Sequence, residues 1–187
     1  MKSSEIPFYR LYNQHLTQPT LQLPAQVVGY LGAVQSQDYA GAKWAVAQRT
    51  PGLTDTALDQ ALADGSILRL HVLRPTWHFV TPADVRWMLA LSAPRVRGLM
   101  AYGHRQVGLD AATFKRSHAA VVKALQDGQQ LTRTELGAAI TRAGVDVKEL
   151  LRLGHIMGMA ELEALVCSGG RRGTISPGSS TSSTSET

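Results

Sequence analysis

Two glutamines that flank a single residue stand directly before an aspartate in the stretch AVQSQDYAGAKWA, residues 33–45. In an extended or turn-like segment, Gln35 and Gln37 would point to the same side and Ser36 to the other. Two carboxamides placed in this way offer hydrogen-bond donors and acceptors to one water or one sugar oxygen. The pattern fits equally well with a helix C-terminus whose polar side chains bond to the backbone.

Basic residues are concentrated in the middle of the chain. The net charge is +5, and the segment from Arg69 to Lys123 carries nine Lys or Arg residues against two acids, Asp84 and Asp110. Most of these cations are arginines, which form bidentate bonds to phosphate. The segment therefore favours an anionic polymer as partner, most simply nucleic acid. A scattered, solvated basic surface accounts for the charge alone equally well.

Several classes of site are not indicated by the sequence. His71 and His78 have no neighbouring carboxylate in the sequence and predict no metal site, and neither a glycine-rich phosphate loop nor a nucleophile elbow is present. The single cysteine, Cys167, excludes an internal disulfide and is expected to be a small buried residue on a strand. We therefore expect no metal and no organic cofactor. With no membrane-length run and no secretory h-region, we expect a cytoplasmic, nucleoid-associated protein.

The first half of the chain has the element order of a winged-helix unit. Apolar spacing predicts helices over 24–36 and 41–49, and a third helix capped by Thr54. Residues 67–80 then change to the alternation of two strands joined by a short turn. The aromatic rings of Trp44 and Trp77 are expected to lie in the core.

The second half repeats this order. A helix opens at Pro82 and is expected to kink or end at Pro94. The later predictions are a helix capped by Asp110, a capping box at Thr132 to Glu135, a helix over 146–162, a strand over 163–169 and a basic turn. We therefore predict a mainly α protein with small β-ribbons (α+β) that is built from tandem winged-helix units.

Four segments follow from these patterns. We predict a first winged-helix unit over 1–82, a connecting helical segment over 83–109 and a second unit with an incomplete wing over 110–173. Residues 174–187 hold ten Ser or Thr and one charge, so this tail is expected to be disordered. Because a return strand should follow the basic turn, we expect a truncation or a frame change here.

A winged helix places its third helix and its wing on DNA. The basic residues at such positions are predicted to contact DNA; they are Arg69, Arg74, Arg152, His155, Arg171 and Arg172. Ordinary surface solubility is the alternative explanation for each of them.

Three segments in this order resemble the winged-helix DNA glycosylases of the AlkZ-like family. They are LGAVQSQDYAGAKWAVAQR, LRLHVLRPTWHFV followed by TPAD, and GHIMGMAELEALVCSGGRRG, and the resemblance covers roughly residues 5–173. It implies a monofunctional enzyme that acts on double-stranded DNA, hydrolyses the N-glycosidic bond of alkylated purines in base-excision repair and, in some members, unhooks crosslinks. It also implies a monomer.

The resemblance assigns roles to single residues. The family's Gln-x-Gln or Gln-x-Asp pair maps onto Gln35 and Gln37, which would be catalytic by orienting water and stabilising an oxocarbenium ion. Asp38 and Tyr39 would support them, and His71 would contact phosphate or the lesion. An alkylated purine is already positively charged, so the leaving base needs no protonation.

Two departures from the family matter. The middle residue of the pair is usually apolar but is Ser36 here, and members continue through a further winged-helix region and a β-barrel. The expected truncation leaves open whether this chain is active and whether it self-associates. The alternatives are a non-catalytic winged-helix DNA binder and an inactive fragment that contacts other proteins.

Overall fold

The computed structural model describes residues 3–170 as a mostly helical chain with one small antiparallel sheet, which confirms the α+β prediction. The helices are α1 (Ile6–Asn13), α2 (Pro24–Leu31), α3 (Tyr39–Ala47), α4 (Asp55–Ala63), α5 (Pro82–Gln106), α6 (Ala111–Ala124), α7 (Arg133–Arg142) and α8 (Leu150–Leu162). The strands are β1 (Val34–Gln35), β2 (Leu68–His71) and β3 (Trp77–Val80). Arg171, Arg172 and the tail over 174–187 lie outside the described residues.

The central strand of the sheet is β3, with β1 on one side and β2 on the other. Val34 pairs with Phe79 and Gln35 with His78. The prediction of a helix over 24–36 was therefore too long. Gly32 adopts φ +76°, a left-handed conformation that glycine takes without strain, so α2 ends and the chain enters β1.

The predicted helix caps are present. The side chains of Thr54 and Asp110 accept hydrogen bonds from backbone N–H groups in the first turns of α4 and α6. Thr132 and Glu135 form the complete capping box of α7, in which each side chain bonds the other residue's backbone. These caps satisfy donors that an α-helix leaves unpaired at its N-terminus.

The longest helix, α5, continues through Pro94 to Gln106, so the expectation that it ends at Pro94 is wrong, while a kink there stays a prediction. A proline inside a helix removes one backbone hydrogen bond and crowds the preceding turn. Ala93 and Val96, on either side of it, are buried in an apolar cluster with β2, β3 and α8. Tertiary packing therefore holds the helix together across a position where local preference would interrupt it.

Apolar side chains form three clusters. The first lies among α2, α3, α4 and β3, the second among α6, α7 and α8, and the third joins β2 and β3 to α5 and α8. The expected strand over 163–169 is reduced to one bridge, in which the Ser168 N–H donates to the Arg69 carbonyl at 2.8 Å. The third cluster and this bridge connect the second group of helices (α6, α7 and α8) to the edge of the sheet formed by β2.

Candidate functional site

The two glutamines lie at the end of β1, on the solvent side. Gln35 and Gln37 are exposed, while Ser36 between them is completely buried. This alternation is the one expected of extended backbone. The Ser36 N–H donates to the Trp77 carbonyl oxygen of β3 at 2.8 Å. The segment is thus the end of a sheet strand and not the helix C-terminus that the sequence also allowed.

The carboxamides themselves make long contacts with the turn before β3. Gln35 Nε2 lies 3.5 Å from Thr76 Oγ1, and the Trp77 N–H points at Gln37 Oε1 across 3.4 Å. Both separations exceed the usual range for an N–H···O bond. A water molecule or a sugar oxygen can therefore compete for both side chains at little energetic cost.

The acidic residue after the pair has a structural task. Asp38 precedes α3, and its Oδ1 accepts from the Gly41 N–H at 3.1 Å. An aspartate in this position satisfies one unpaired donor of the helix and interacts favourably with the helix dipole. The carboxylate is exposed, but its cap contact directs it toward α3.

The hydroxyl group of Tyr39 is directed at α4. It donates to Asp59 Oδ1 at 2.7 Å. The buried ammonium of Lys43 lies 2.7 Å from the same oxygen and 2.6 Å from Asp55. The position of Tyr39 therefore fits a role in holding α3 against α4 better than a role in substrate binding.

Arg69 is 3% exposed. Its Nε and Nη2 groups donate to the Ser36 carbonyl oxygen at 3.3 and 3.1 Å. The guanidinium carbon lies 4.6 Å from the Trp77 ring centre and 5.5 Å from that of Tyr39, in cation–π geometry. The expectation of a phosphate contact is corrected here, because a guanidinium enclosed in this way does not reach a DNA backbone from this conformation.

His71 is also buried, beside a carboxylate that the sequence analysis did not identify. Glu161 of α8 accepts from the His71 backbone N–H at 2.8 Å and contacts the His71 ring nitrogen Nδ1. Its other oxygen lies 3.3 Å from the indole N–H of Trp77. The side chain of Glu161 is 3% exposed. His71 is therefore a packed, carboxylate-bonded residue, and the predicted direct contact with DNA or a lesion does not fit its burial.

Two further predicted cations, Arg74 and Arg152, differ in exposure and in what they contact. Arg74 is exposed in the turn between β2 and β3, where a phosphate contact is sterically open. Arg152 donates to the carbonyl groups of Val107 and Gly108, just after α5. Cationic side chains stabilise a helix C-terminus in this way, so Arg152 has a structural role that sequence spacing did not reveal.

His155 packs against α5. Its ring centre is 5.0 Å from that of His104. Burial lowers the pKa of His155, with a smaller effect of His71 in the same direction, and burial followed by His155 lowers the pKa of His104. Burial likewise lowers the pKa of His78. The His155 ring lies against His104 and Gly103 of α5, so the predicted DNA-facing position of His155 is corrected to an interhelical one.

The sequence analysis missed Glu161 and Arg133. The guanidinium carbon of Arg133, at the start of α7, lies 5.3 Å from the Trp77 ring centre. Neither residue has a local signal, because each reaches Trp77 from a distant part of the chain. Trp44, expected in the core, is 66% exposed.

Within residues 3–170 no group of three or more His, Cys, Asp or Glu side chains could hold a metal ion, and no helix has the length and apolar content to cross a membrane.

Comparisons with known proteins agree on one family. A family model described as DNA glycosylase AlkZ-like matches residues 28–184. The interstrand DNA cross-link repair glycosylase of Streptomyces sahachiroi is 27% identical over 179 residues, which cover 92% of this chain and 48% of that protein. The solved structure of Streptomyces sahachiroi DNA glycosylase AlkZ matches with a TM-score of 0.74 and 28% identity, over 93% of this chain and 48% of that one. The chain spans about half the length of the relatives it matches.

Proposed function

Because the chain belongs to the AlkZ-like DNA glycosylase family, we propose that it is a DNA-repair protein that hydrolyses the N-glycosidic bond of alkylated purines, with Gln35 and Gln37 as its catalytic residues. One observation carries this proposal. The chain presents two carboxamides, one on each side of Ser36, to solvent from a backbone segment that is hydrogen-bonded to β3, with the middle side chain completely buried.

The chemistry suits glutamine when the substrate is an N7- or N3-alkylated purine. The base is positively charged and leaves readily, so the protein has to stabilise positive charge on the sugar and hold a water for attack on C1′. A carboxamide oxygen carries a partial negative charge that favours a developing cation, and it accepts a hydrogen bond from water. Gln35 and Gln37 are proposed to share these tasks.

Asp38 and Tyr39 remain supporting residues in this proposal. The carboxylate of Asp38 is one residue beyond the pair and caps α3, so it contributes a fixed negative field and positions the following helix. Tyr39 supports the pair through its ring, whose centre lies 5.5 Å from the guanidinium carbon of Arg69, while its hydroxyl group bonds Asp59. Neither residue is required to transfer a proton.

We further propose that the fold presents these residues to duplex DNA through two winged-helix units. In the first unit the order α2–β1–α3–α4–β2–β3 and the sheet order β1–β3–β2 support this assignment. Helices α6, α7 and α8 and the segment after them would form the second unit. Arg74, exposed between β2 and β3, is the best-placed phosphate contact of the described predicted cations.

A second candidate function is a non-catalytic DNA-binding protein of the same fold. The engagement of Asp38 as a helix cap favours this candidate, because the carboxylate following the pair is already in use. The two candidates differ in one respect that can be measured. Both bind DNA, whereas only the first loses an activity when the glutamines are removed.

The deciding experiment is release of 7-methylguanine from methylated duplex DNA by the 187-residue chain. Gln35→Ala/Gln37→Ala is compared with Gln129→Ala, a matched control at an exposed glutamine in another part of the chain. We expect the double variant to lose base release while the control retains it. No release by the folded parent chain would reject the enzymatic proposal for this chain.

Salt dependence tests the binding part separately. If the chain contacts DNA phosphates, the logarithm of its affinity falls linearly with the logarithm of salt concentration, with a slope of about −0.9 per phosphate contacted. We expect such a slope for undamaged duplex DNA. A chain that makes only protein contacts would show no DNA affinity at low salt.

A further inference from the structure

We propose that Arg69 is a positioning residue that fixes the geometry of the Gln35–Ser36–Gln37 segment from inside the protein. The inference rests on the proposed function, because it concerns the glutamines to which that function is assigned. It gives Arg69 a role different from the DNA contact that its charge and its place on the β2–β3 ribbon predict.

The first argument is the way in which both backbone groups of Ser36 are held. Its N–H donates to the Trp77 carbonyl oxygen of β3 at 2.8 Å. Its carbonyl oxygen accepts from Nε and Nη2 of Arg69 at 3.3 and 3.1 Å. Two donors from one planar group restrict the direction of a carbonyl more than a single donor does. Because the Ser36 carbonyl belongs to the peptide that leads into Gln37, fixing it also fixes where the Gln37 side chain begins.

The second argument is that Arg69 is itself immobilised. Its guanidinium carbon lies over two aromatic rings, 4.6 Å from the centre of Trp77 and 5.5 Å from that of Tyr39. Its backbone is part of β2, where it pairs with Phe79 on one side and with Ser168 on the other. A planar, delocalised cation suits this place, whereas a lysine ammonium would retain the charge but neither the fork of donors nor the stacking.

The third argument is the further support of Trp77 by the second group of helices. The indole N–H of Trp77 points to Glu161 of α8 at 3.3 Å, and Glu161 is bonded to His71 of β2. Helix α8 thus contacts the ring on which the Arg69 guanidinium lies. Arg69 holds the glutamine segment directly, and α8 holds it indirectly through the contact of Glu161 with Trp77.

The test compares Arg69→Met, Arg69→Lys and Arg74→Met, the last at the exposed arginine proposed to contact phosphate, in the 187-residue chain. Three quantities are measured: the single-turnover rate of 7-methylguanine release at saturating protein, the Kd for duplex DNA as a function of salt, and amide hydrogen exchange. For Arg69→Met we expect a rate at least about tenfold lower, an unchanged Kd and salt slope, and exchange of the Ser36 amide at least about tenfold faster. Arg69→Lys should recover part of the rate.

The reference amide for exchange is Leu136, which donates to Thr132 in α7 and should exchange equally in all variants. Arg74→Met should leave the exchange of the Ser36 amide unchanged and reduce the salt slope by about 0.9. If Arg69→Met reduces the salt slope by this amount, Arg69 contacts phosphate and the proposal is overturned. It is also overturned if the Ser36 amide keeps its protection in Arg69→Met.

The exchange measurement also separates this inference from the proposed function. If the parent chain releases no base, the enzymatic proposal fails, while faster exchange of the Ser36 amide in Arg69→Met still supports the positioning role. If Arg69→Met does not fold, the exchange rate of the Ser36 amide is measured in Arg69→Lys instead. Lysine lacks one of the two donors and the stacking, so the exchange rate of the Ser36 amide should still rise. Unchanged exchange in a folded Arg69→Lys chain would then overturn the inference.

Discussion

Replacing Glu161 with glutamine should destabilise the protein far more than the same change at Glu163. Glu161 is 3% exposed and has two hydrogen bonds from His71 and one from Trp77 directed at its carboxylate. A glutamine has one acceptor oxygen in place of two and presents an NH₂ group to the second set of donors. The variant therefore loses a charged acceptor and leaves at least one buried donor unsatisfied.

The expected size of the effect follows from these contacts. A hydrogen bond to a charged group contributes about 1.5–3 kcal/mol, and a buried unsatisfied donor costs about 1–3 kcal/mol. Because the two terms overlap, we expect Glu161→Gln to lower the free energy of unfolding by about 2–4 kcal/mol. Glu163, whose side chain is 37% exposed and contacts His118 at 2.9 Å, should lose less than about 1 kcal/mol.

The assay is urea denaturation followed by circular dichroism at 222 nm, with the parent chain and both variants under identical conditions. A single domain is typically stable by about 5–15 kcal/mol, so the expected difference shifts the midpoint clearly. The reasoning would be refuted if the two variants differed by less than about 0.5 kcal/mol. In that case the buried carboxylate would not hold His71 and Trp77 in place, and the support of Trp77 by α8 would have to be abandoned.

Three further predictions concern helices and histidines. Gly98→Ala should stabilise α5 by about 0.5–1 kcal/mol, because nothing lies within 4 Å of the added Cβ. Gly103→Ala should lose that gain, because its Cβ would lie 2.8 Å from His155 Cε1. Equal thermal midpoints for the two variants would contradict this. Burial lowers the pKa of His104 from 6.5, so the unfolded chain binds the proton more strongly and stability falls as pH drops below about 6.5. In urea titrations at pH 7.5 and 5.5, His104→Phe should lose less stability between the two pH values than the parent chain. An equal loss would exclude His104 as the source of the pH dependence. Trp44→Ala should change the free energy of unfolding by less than about 0.5 kcal/mol, and a loss of several kcal/mol in urea titration would mean that this ring is packed in the folded protein.

Local features of the fold were accessible from the sequence because they depend on neighbouring residues. Thr54, Asp110 and the pair Thr132 and Glu135 are polar residues at the first turn of an apolar-periodic segment, and all of them act as caps. The exposed–buried–exposed order around Ser36 follows from strand geometry alone. A cap and a pleat both involve contacts over a few residues, so their physics is contained in the local sequence.

The contacts that define the candidate site required the tertiary structure. Glu161 and His71 are 90 positions apart, and nothing near either residue in the sequence indicates that they meet. Arg69 has the residue type and ribbon position of a DNA contact, yet the sheet and two aromatic rings enclose it. Pro94 remains helical because its neighbours are buried.

The sequence by itself determined which residues could do chemistry, since a carboxamide pair and its strand alternation are encoded within three positions. Tertiary structure decided which charged groups face solvent and which support the site. Burial is a property of the whole packed chain: whether a side chain at a given position meets water depends on helices that arrive from distant segments, such as α8 beside β2. The same residue type is therefore a surface cation at Arg74 and a buried cation at Arg69.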